Sequence, residues 1–196
     1  QWQPYSHDEL LEVLSYVLTH TPQYCRLTRV IRDIPSPDIV AGNKKTNFRQ
    51  IASQYLKKTG RKAEMQDIRA REIGREEFES AKVVLDEICY QTSVGEERFL
   101  QFVLPQQHGP AKILAFLRLS LPTKASFIQE LGASAVIREI HVYGQAVQIG
   151  QVGENKPQHA GFGTRLIARA KEIAAQLGHD KLAVISAIGT KEYYRK

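Results

Sequence analysis

The residues best suited to chemistry are Gln158-His159-Ala160-Gly161-Phe162-Gly163-Thr164. An apolar, strand-like run, Ala135 to Val142, precedes them, and an amphipathic run, Leu166 to Leu177, follows. Strand, glycine turn and helix together leave first-turn N–H groups without partners at the positive end of the helix dipole. Gly161 and Gly163 carry no Cβ, so a bulky anion such as a phosphate can approach the main chain. The Gln-x-x-Gly-x-Gly spacing lacks the Lys-Ser/Thr of a P-loop and differs from the dinucleotide fingerprint. On these residues alone, a glycine-rich helix start with no ligand is an equally good reading.

Two further groupings have chemical potential. Glu139 and His141 stand two apart on the strand before the turn, so they share a face. Such a pair can activate a water or move a proton, or it is simply a satisfied polar pair. Residues 26 to 75 hold 13 Lys and Arg against 5 Asp and Glu, a local surplus larger than the +6 of the whole chain. Charge confined in this way is the footprint of a polyanion site, against the alternative of a solvated basic surface. Its candidates are Lys44, Lys45, Arg49, Lys57, Lys58, Arg69, Arg71 and Arg75. If Arg69-Ala70-Arg71 is extended, both guanidiniums point the same way and suit backbone phosphates. His159 reads as a surface residue, and Tyr193-Tyr194 on a short helix would by themselves be core packing.

Composition sets the frame. At 196 residues with 42% hydrophobic content, the chain reads as one large or two small soluble domains. No run approaches a membrane span and no signal peptide is visible, so a cytoplasmic setting is expected. Cys25 and Cys89 have no Cys or His at ligand spacing and are expected to be buried, reduced thiols. The six histidines are scattered, and no metal site is expected. The chain opens on Gln1, which reads as a fragment.

The elements that must position these groups follow in order. Ser6 and Glu9 form a capping box for a helix with Leu10, Leu11, Leu14, Val17 and Leu18 on one face, ending at Thr21-Pro22. Tyr24 to Ile34 reads as a strand. Thr46 or Asn47 caps a second helix whose apolar face is Phe48, Ile51, Ala52, Tyr55 and Leu56, with Gly60 past its end. From about Glu77 strands take over: Ala81 to Thr92, a turn at Gly95-Glu96-Glu97, Arg98 to Leu104, and Lys112 to Leu121. These form an antiparallel meander that runs into the strand, turn and helix described above. A strand from Lys181 to Ile188 and a short helix from Lys191 to Lys196 follow. The fold is α/β (α+β) with a mixed sheet, and the boundary falls between a first part, 1–75, and a second, 76–196.

That second part resembles the GNAT acyl-CoA N-acyltransferase fold. Arg138-Glu139-Ile140-His141-Val142-Tyr143-Gly144, Gln158-His159-Ala160-Gly161-Phe162-Gly163, Ala183-Val184-Ile185-Ser186, Gly189-Thr190 and Tyr193-Tyr194-Arg195-Lys196 together resemble a narrower family. This family is the tRNA wobble-uridine acetyltransferases, or carboxymethyluridine synthases, that form the catalytic subunit of Elongator. Arg32-Asp33-Ile34-Pro35 and Arg69-Ala70-Arg71-Glu72 are similar to it upstream. The resemblance implies that residues 1–75 are the tail of a radical-SAM-type α/β barrel, and that 76–196 form an acetyltransferase domain cut short at its C-terminus.

The resemblance also implies roles. Acetyl-CoA would be held by Glu139, Ile140, His141 and Val142 along the strand, by Gln158, Gly161, Phe162, Gly163 and Thr164 at the turn, and by Tyr194 at the thioester. Tyr194, Tyr193, Glu139 and His141 become the catalytic candidates. The eight basic residues become tRNA contacts near the anticodon, with a homodimer or Elongator-type subunits as further partners. S-adenosylmethionine and a [4Fe-4S] cluster are implied for the full-length protein. The cluster cysteine motif is absent here, so the radical half is expected outside this chain. Glu64-Met65-Gln66-Asp67 supplies no zinc-binding cysteine. The implied function is acetyl supply for wobble-uridine carboxymethylation, with tRNA-stimulated acetyl-CoA hydrolysis. The alternatives are a GNAT lysine or amine N-acetyltransferase, and a non-catalytic RNA-binding module with a degenerate acetyl-CoA pocket.

Overall fold

A computed structural model describes residues 3–28, 30, 35–74, 76, 78–124, 126–143 and 161–195. The chain divides into two units, Gln1–Arg71 with Gln106–Pro110, and Glu72–Pro105 with Ala111–Lys196.

The first unit begins with helix α1, His7–His20. Its capping box is complete: the Glu9 amide donates to Ser6 Oγ at 3.3 Å, and the Ser6 amide donates to Glu9 Oε2 at 2.7 Å. Helix α2, Phe48–Lys58, starts at Asn47 without a side-chain cap and ends before Gly60, whose φ of 76° suits a residue with no Cβ. Leu18 of α1, Ala52 and Leu56 of α2, and Met65 form a small core with Leu11, Leu14, Leu27 and Ala70 around it.

Two expectations fail in this unit. Tyr24 lies in a turn closed by the Cys25 amide on the Pro22 carbonyl at 2.9 Å, and Cys25 to Thr28 have no regular structure. The Cys25 carbonyl accepts from the Ile68 amide at 2.9 Å, and none of the described residues 24–28 belongs to a strand. Arg29 and residues 31–34 of that expected strand lie outside the described residues. Arg69-Ala70-Arg71 is not extended either. It belongs to a one-turn helix α3, Ile68–Arg71, in which residues two apart point to different sides.

The second unit is a five-stranded mixed sheet in the order β1-β2-β3-β4-β5: Val84–Gln91, Gly95–Leu104, Lys112–Pro122, Ala135–Val142 and Leu182–Val184. The first four strands pair antiparallel, and β4 pairs parallel with β5 across helix α4, Phe162–Gln176. Gly95-Glu96-Glu97 is strand rather than turn. The reversal lies just before it, where the Thr92 amide donates to the Gly95 carbonyl at 2.8 Å. A Cβ on Gly95 would stand 2.3 Å from the Leu121 carbonyl oxygen, so no other residue fits there.

The sheet's two faces differ in character. On one, Leu100, Phe102, Leu117, Leu119, Ala135 and Ile137 pack against Phe162, Leu166, Ala170, Ile173 and Ala174 of α4. Each leucine, isoleucine or phenylalanine among them removed from water contributes roughly 1.5–3 kcal/mol, and each alanine less. The Arg165 guanidinium lies 4.4 Å over the Phe102 ring and helps pin the start of α4. On the other face, cross-strand neighbours bring together Tyr90 and Glu97, Phe99 and Arg118, Arg118 and Glu139, and Phe116 and His141.

The register between β3 and β4 shifts by one residue. Arg118 faces Glu139 while Leu119 faces Ile137, which leaves Arg138 as the extra residue of a β-bulge. β5 is shorter than the expected Lys181 to Ile188. It pairs only with Ala135 to Ile137, and its last bond runs from the Ile185 amide to the Ile137 carbonyl at 3.0 Å. The bulge re-aims β4 at that point. From Arg138 to Val142, β4 has no strand on its β5 side among the described residues, and the sheet opens there. No helix among the described residues is long and apolar enough to cross a membrane.

Candidate functional site

The opening between β4 and β5 is bordered by the start of α4. Gly161, at φ 65°, is the N-cap and supplies no side-chain hydrogen bond, so no side chain of its own competes for the first-turn amides. Phe162 turns its ring into the core, 4.6 Å from the Phe102 ring, and leaves only its main chain to the opening. Gly163 is buried, and a Cβ there would stand 2.7 Å from the Tyr193 Oη and 3.6 Å from Val142 Cγ2. This single glycine therefore sits between the end of β4 and the C-terminal tyrosines. Thr164 is exposed on the first turn. Gln158 and His159 lie outside the described residues, as do Ala160 and Gly144.

Tyr193 and Tyr194 belong to a short helix α5, Lys191–Tyr194, and meet edge to face with centroids 5.2 Å apart. Burial, then the neighbouring Tyr193, pushes the Tyr194 phenol above its ordinary range, so it stays protonated and able to donate. It is the Tyr193 hydroxyl, however, that reaches the glycine turn. Ile140 and Val142 pack against the α4-side core.

Glu139 and His141 share the opposite face, as expected from their spacing. His141 Nε2 stands 3.6 Å from Glu139 Oε2, and Arg118 Nε donates to Glu139 Oε1 at 2.8 Å. The His141 imidazole first, then the Arg118 guanidinium, hold the Glu139 carboxyl at about 2, against the opposing effect of burial. A carboxyl held that low is a feeble base at neutral pH but a good orienting acceptor. Beyond Arg118 lie residues that sequence reasoning missed. Arg118 Nη1 donates to the Tyr90 hydroxyl, and Tyr90 donates to Glu97 Oε2 at 2.5 Å. Arg138 Nη1 donates to the other Glu97 oxygen. Arg118 is the one charged residue inside the apolar run Ile113 to Leu121, a signal visible in the sequence.

The basic candidates separate by exposure. Lys44, Lys45, Lys57, Lys58 and Arg69 are exposed. The loop bearing Lys44 and Lys45 is shaped by Asn43 Oδ1, which accepts from the Lys45 amide at 3.1 Å, and by the Ser36 hydroxyl, which donates to the Lys44 carbonyl at 2.7 Å. Arg71 is 2% exposed, and its guanidinium donates to the Gln66 and Gln23 carbonyls at 2.8 and 2.6 Å. Arg49 Nη2 is held by both oxygens of the buried Asp67, at 2.9 and 2.8 Å. These two arginines tie the first unit together and are not presented to a phosphate. Arg75 lies outside the described residues. Cys89 is exposed rather than buried, because β1 is an edge strand, and Cys25 is only partly buried. Among the described residues, no group of three His, Cys, Asp or Glu is placed to hold a metal ion.

Residues 1–58 match the Radical_SAM C-terminal domain. All of the chain aligns with Elongator complex protein 3 of Danio rerio, 36% identical over 202 residues and covering 36% of that protein. It aligns over its full length with the tRNA uridine(34) acetyltransferase of Methanocaldococcus jannaschii, 34% identical and covering 37% of it. The chain is homologous to Elongator complex protein 3. A solved structure of the archaeal Methanocaldococcus infernus Elp3 with an N-terminal deletion superposes on 99% of the chain at a TM-score of 0.83 and 32% identity, with 46% of that structure covered. The chain thus spans little more than a third of the length of these curated relatives.

Proposed function

We propose that this chain is the acetyl-CoA-binding and RNA-binding part of a tRNA-modifying acetyltransferase that acts on the wobble uridine. The observation that carries the reading is the glycine turn at Gly161–Thr164, with no side-chain cap bond, beside a β4 edge that no strand covers from Arg138 to Val142 among the described residues. First-turn amides of Phe162, Gly163 and Thr164 suit a diphosphate. The open edge of Glu139 to Val142 offers main-chain partners to pantetheine amides, as an added strand would. In this reading Tyr193 or Tyr194 donates to a departing thiolate, and Glu139 with His141 handles a water; the Tyr193 hydroxyl beside Gly163 supports the first. The alignment with tRNA uridine(34) acetyltransferase over the whole chain supports the acceptor.

In this reading the exposed Lys44, Lys45, Lys57, Lys58 and Arg69 meet tRNA phosphates, which position the anticodon region without reading it. The functional division falls between 1–75, a tRNA platform at the tail of the radical-SAM-like part, and 76–196, the acetyltransferase part. Two cysteines in the whole sequence cannot furnish the thiolate set of an iron–sulfur cluster. S-adenosylmethionine and cluster chemistry are therefore assigned to other parts of the longer relatives, as are Elongator-type subunit contacts.

The test is acetyl-CoA hydrolysis by the chain with and without tRNA. Stimulation by tRNA is the expected result. Acetyl transfer to a lysine peptide, or RNA binding with no turnover, would overturn it.

A further inference from the structure

The polar face of the sheet carries more than the reaction's candidate acid and base. We propose that Arg118, backed by Tyr90 and Glu97, is a positioning residue that fixes the Glu139 carboxylate so that it orients His141 as the proton acceptor. The inference rests on the acetyl-CoA reading above.

The network crosses four strands: Tyr90 on β1, Glu97 on β2, Arg118 on β3, and Arg138, Glu139 and His141 on β4. It runs from the interior outward. Glu97 is buried and Arg118 partly so, while Arg138, Glu139 and His141, on the strand that borders the opening, are more than a third exposed. Its inner members are mutually satisfied. Glu97 accepts from Tyr90 and Arg138, and Arg118 donates to Tyr90 and Glu139 and lies 5.2 Å over the Phe99 ring. Two arginines balance two carboxylates, and burial with the Glu97 contact pushes the Tyr90 phenol up to about 12, so it stays neutral.

The β-bulge makes this arrangement possible. Had the register of Leu119 and Ile137 continued unshifted, Arg138 would face Arg118 and two like charges would meet across the strands. With the shift, Glu139 faces Arg118 and Arg138 reaches Glu97. Charged groups paired around the buried Glu97 are a weak way to stabilise a sheet compared with apolar residues, so a role in holding a geometry is the better account. The geometry held is that of His141. Its Nε2 faces the fixed carboxylate, its ring lies 5.1 Å from Phe116, and it is nearly parallel to Tyr143 at 6.4 Å. The carboxylate, 3.6 Å from Nε2 and so acting through its charge rather than through a formed hydrogen bond, favours the proton on Nε2 and leaves Nδ1 to accept one, the division of labour in which a carboxylate sets a histidine tautomer.

The experiment compares wild type, Arg118→Met, Arg118→Lys and Tyr90→Phe in the full chain, each checked for folding by circular dichroism. Nitrogen-15 NMR of the His141 ring is expected to show a single Nε2–H tautomer in wild type and a mixture in Arg118→Met. Arg118→Lys should restore most of the wild-type signal, and Tyr90→Phe should fall between. For tRNA-stimulated acetyl-CoA hydrolysis, Arg118→Met should lower kcat by roughly 10–100-fold with KM changed less than about twofold. An unchanged tautomer in Arg118→Met, or a loss confined to KM, overturns the inference. If wild type does not hydrolyse acetyl-CoA, the functional reading fails, and the ring spectrum alone decides whether Arg118 positions His141.

Discussion

Glu139 is held at about 2 by its neighbours, below its ordinary 4.5, and this has a consequence for stability. A carboxyl depressed in the folded state stabilises it fully above the ordinary value, and the contribution fades as pH falls toward the folded value. Glu139→Gln should therefore remove part of the drop in Tm between about pH 5 and about pH 3, seen by thermal melts at both. The effect is tempered by partial exposure and solvent screening. Tyr90 works in the opposite sense. Its raised phenol leaves stability intact at neutral pH and costs stability as pH climbs from 10 toward about 12. Gly163 is a third residue with a sharp expectation. Gly163→Ala puts a carbon 2.7 Å from the Tyr193 hydroxyl, so the tyrosine must move. We expect acetyl-CoA affinity to fall at least about tenfold, by calorimetry, with little change in stability, because the half-exposed Tyr193 can swing aside and alanine suits a helical position.

At the scale of elements, the two longer helices of the first unit differ in how they begin. α1 has a full capping box, and Ser6→Ala should cost about 1 kcal/mol in a urea titration. α2 begins at Asn47 with no side-chain bond, so Asn47→Ala should cost only a few tenths. Periodicity makes α1, α2, α4 and the strands β2 to β4 legible, because each buries one face or both and therefore writes its pattern in apolar spacing, whereas the edge strand β1 has no fully buried residue and is read from its β-prone residues and the turn after it. Cys25 to Thr28 mislead because a β-prone run follows a turn and meets Ile68 rather than a neighbouring strand, which is tertiary context overriding propensity. β5 is shorter than its apolar run suggests because the later residues are apolar yet exposed: Ile185 is 65% and Ile188 90% exposed. Of the site, the glycine turn and the Glu139–His141 face follow from spacing. The Arg118–Tyr90–Glu97 network does not, because it depends on strand order and on a bulge that no local pattern announces.

On the scale of the whole molecule, charge is unevenly placed, and the exposed lysines define what a polyanion would meet. Lys44→Glu with Lys45→Glu should weaken tRNA binding and flatten the dependence of log K on log salt by about 0.7–0.9 for each phosphate no longer neutralised. An unchanged slope in a filter-binding titration would count against these lysines. Arg71→Met supplies the contrast. Buried and bound to the Gln66 and Gln23 carbonyls, Arg71 should affect folding stability and leave the salt slope alone. The homology with Elongator complex protein 3 runs through both units, so the two effects can be measured on one chain.

The stretch of β4 from Arg138 to Val142 has β3 on one side and no strand on the other among the described residues. Its outward amides should trade their protons for deuterium quickly, and those bonded to β3 slowly, giving an alternating record along a few residues. A bound pantetheine arm would slow the fast set and leave the slow set unchanged. Mass-resolved exchange over this short peptide would thus serve as a built-in occupancy gauge, with no label added to the protein.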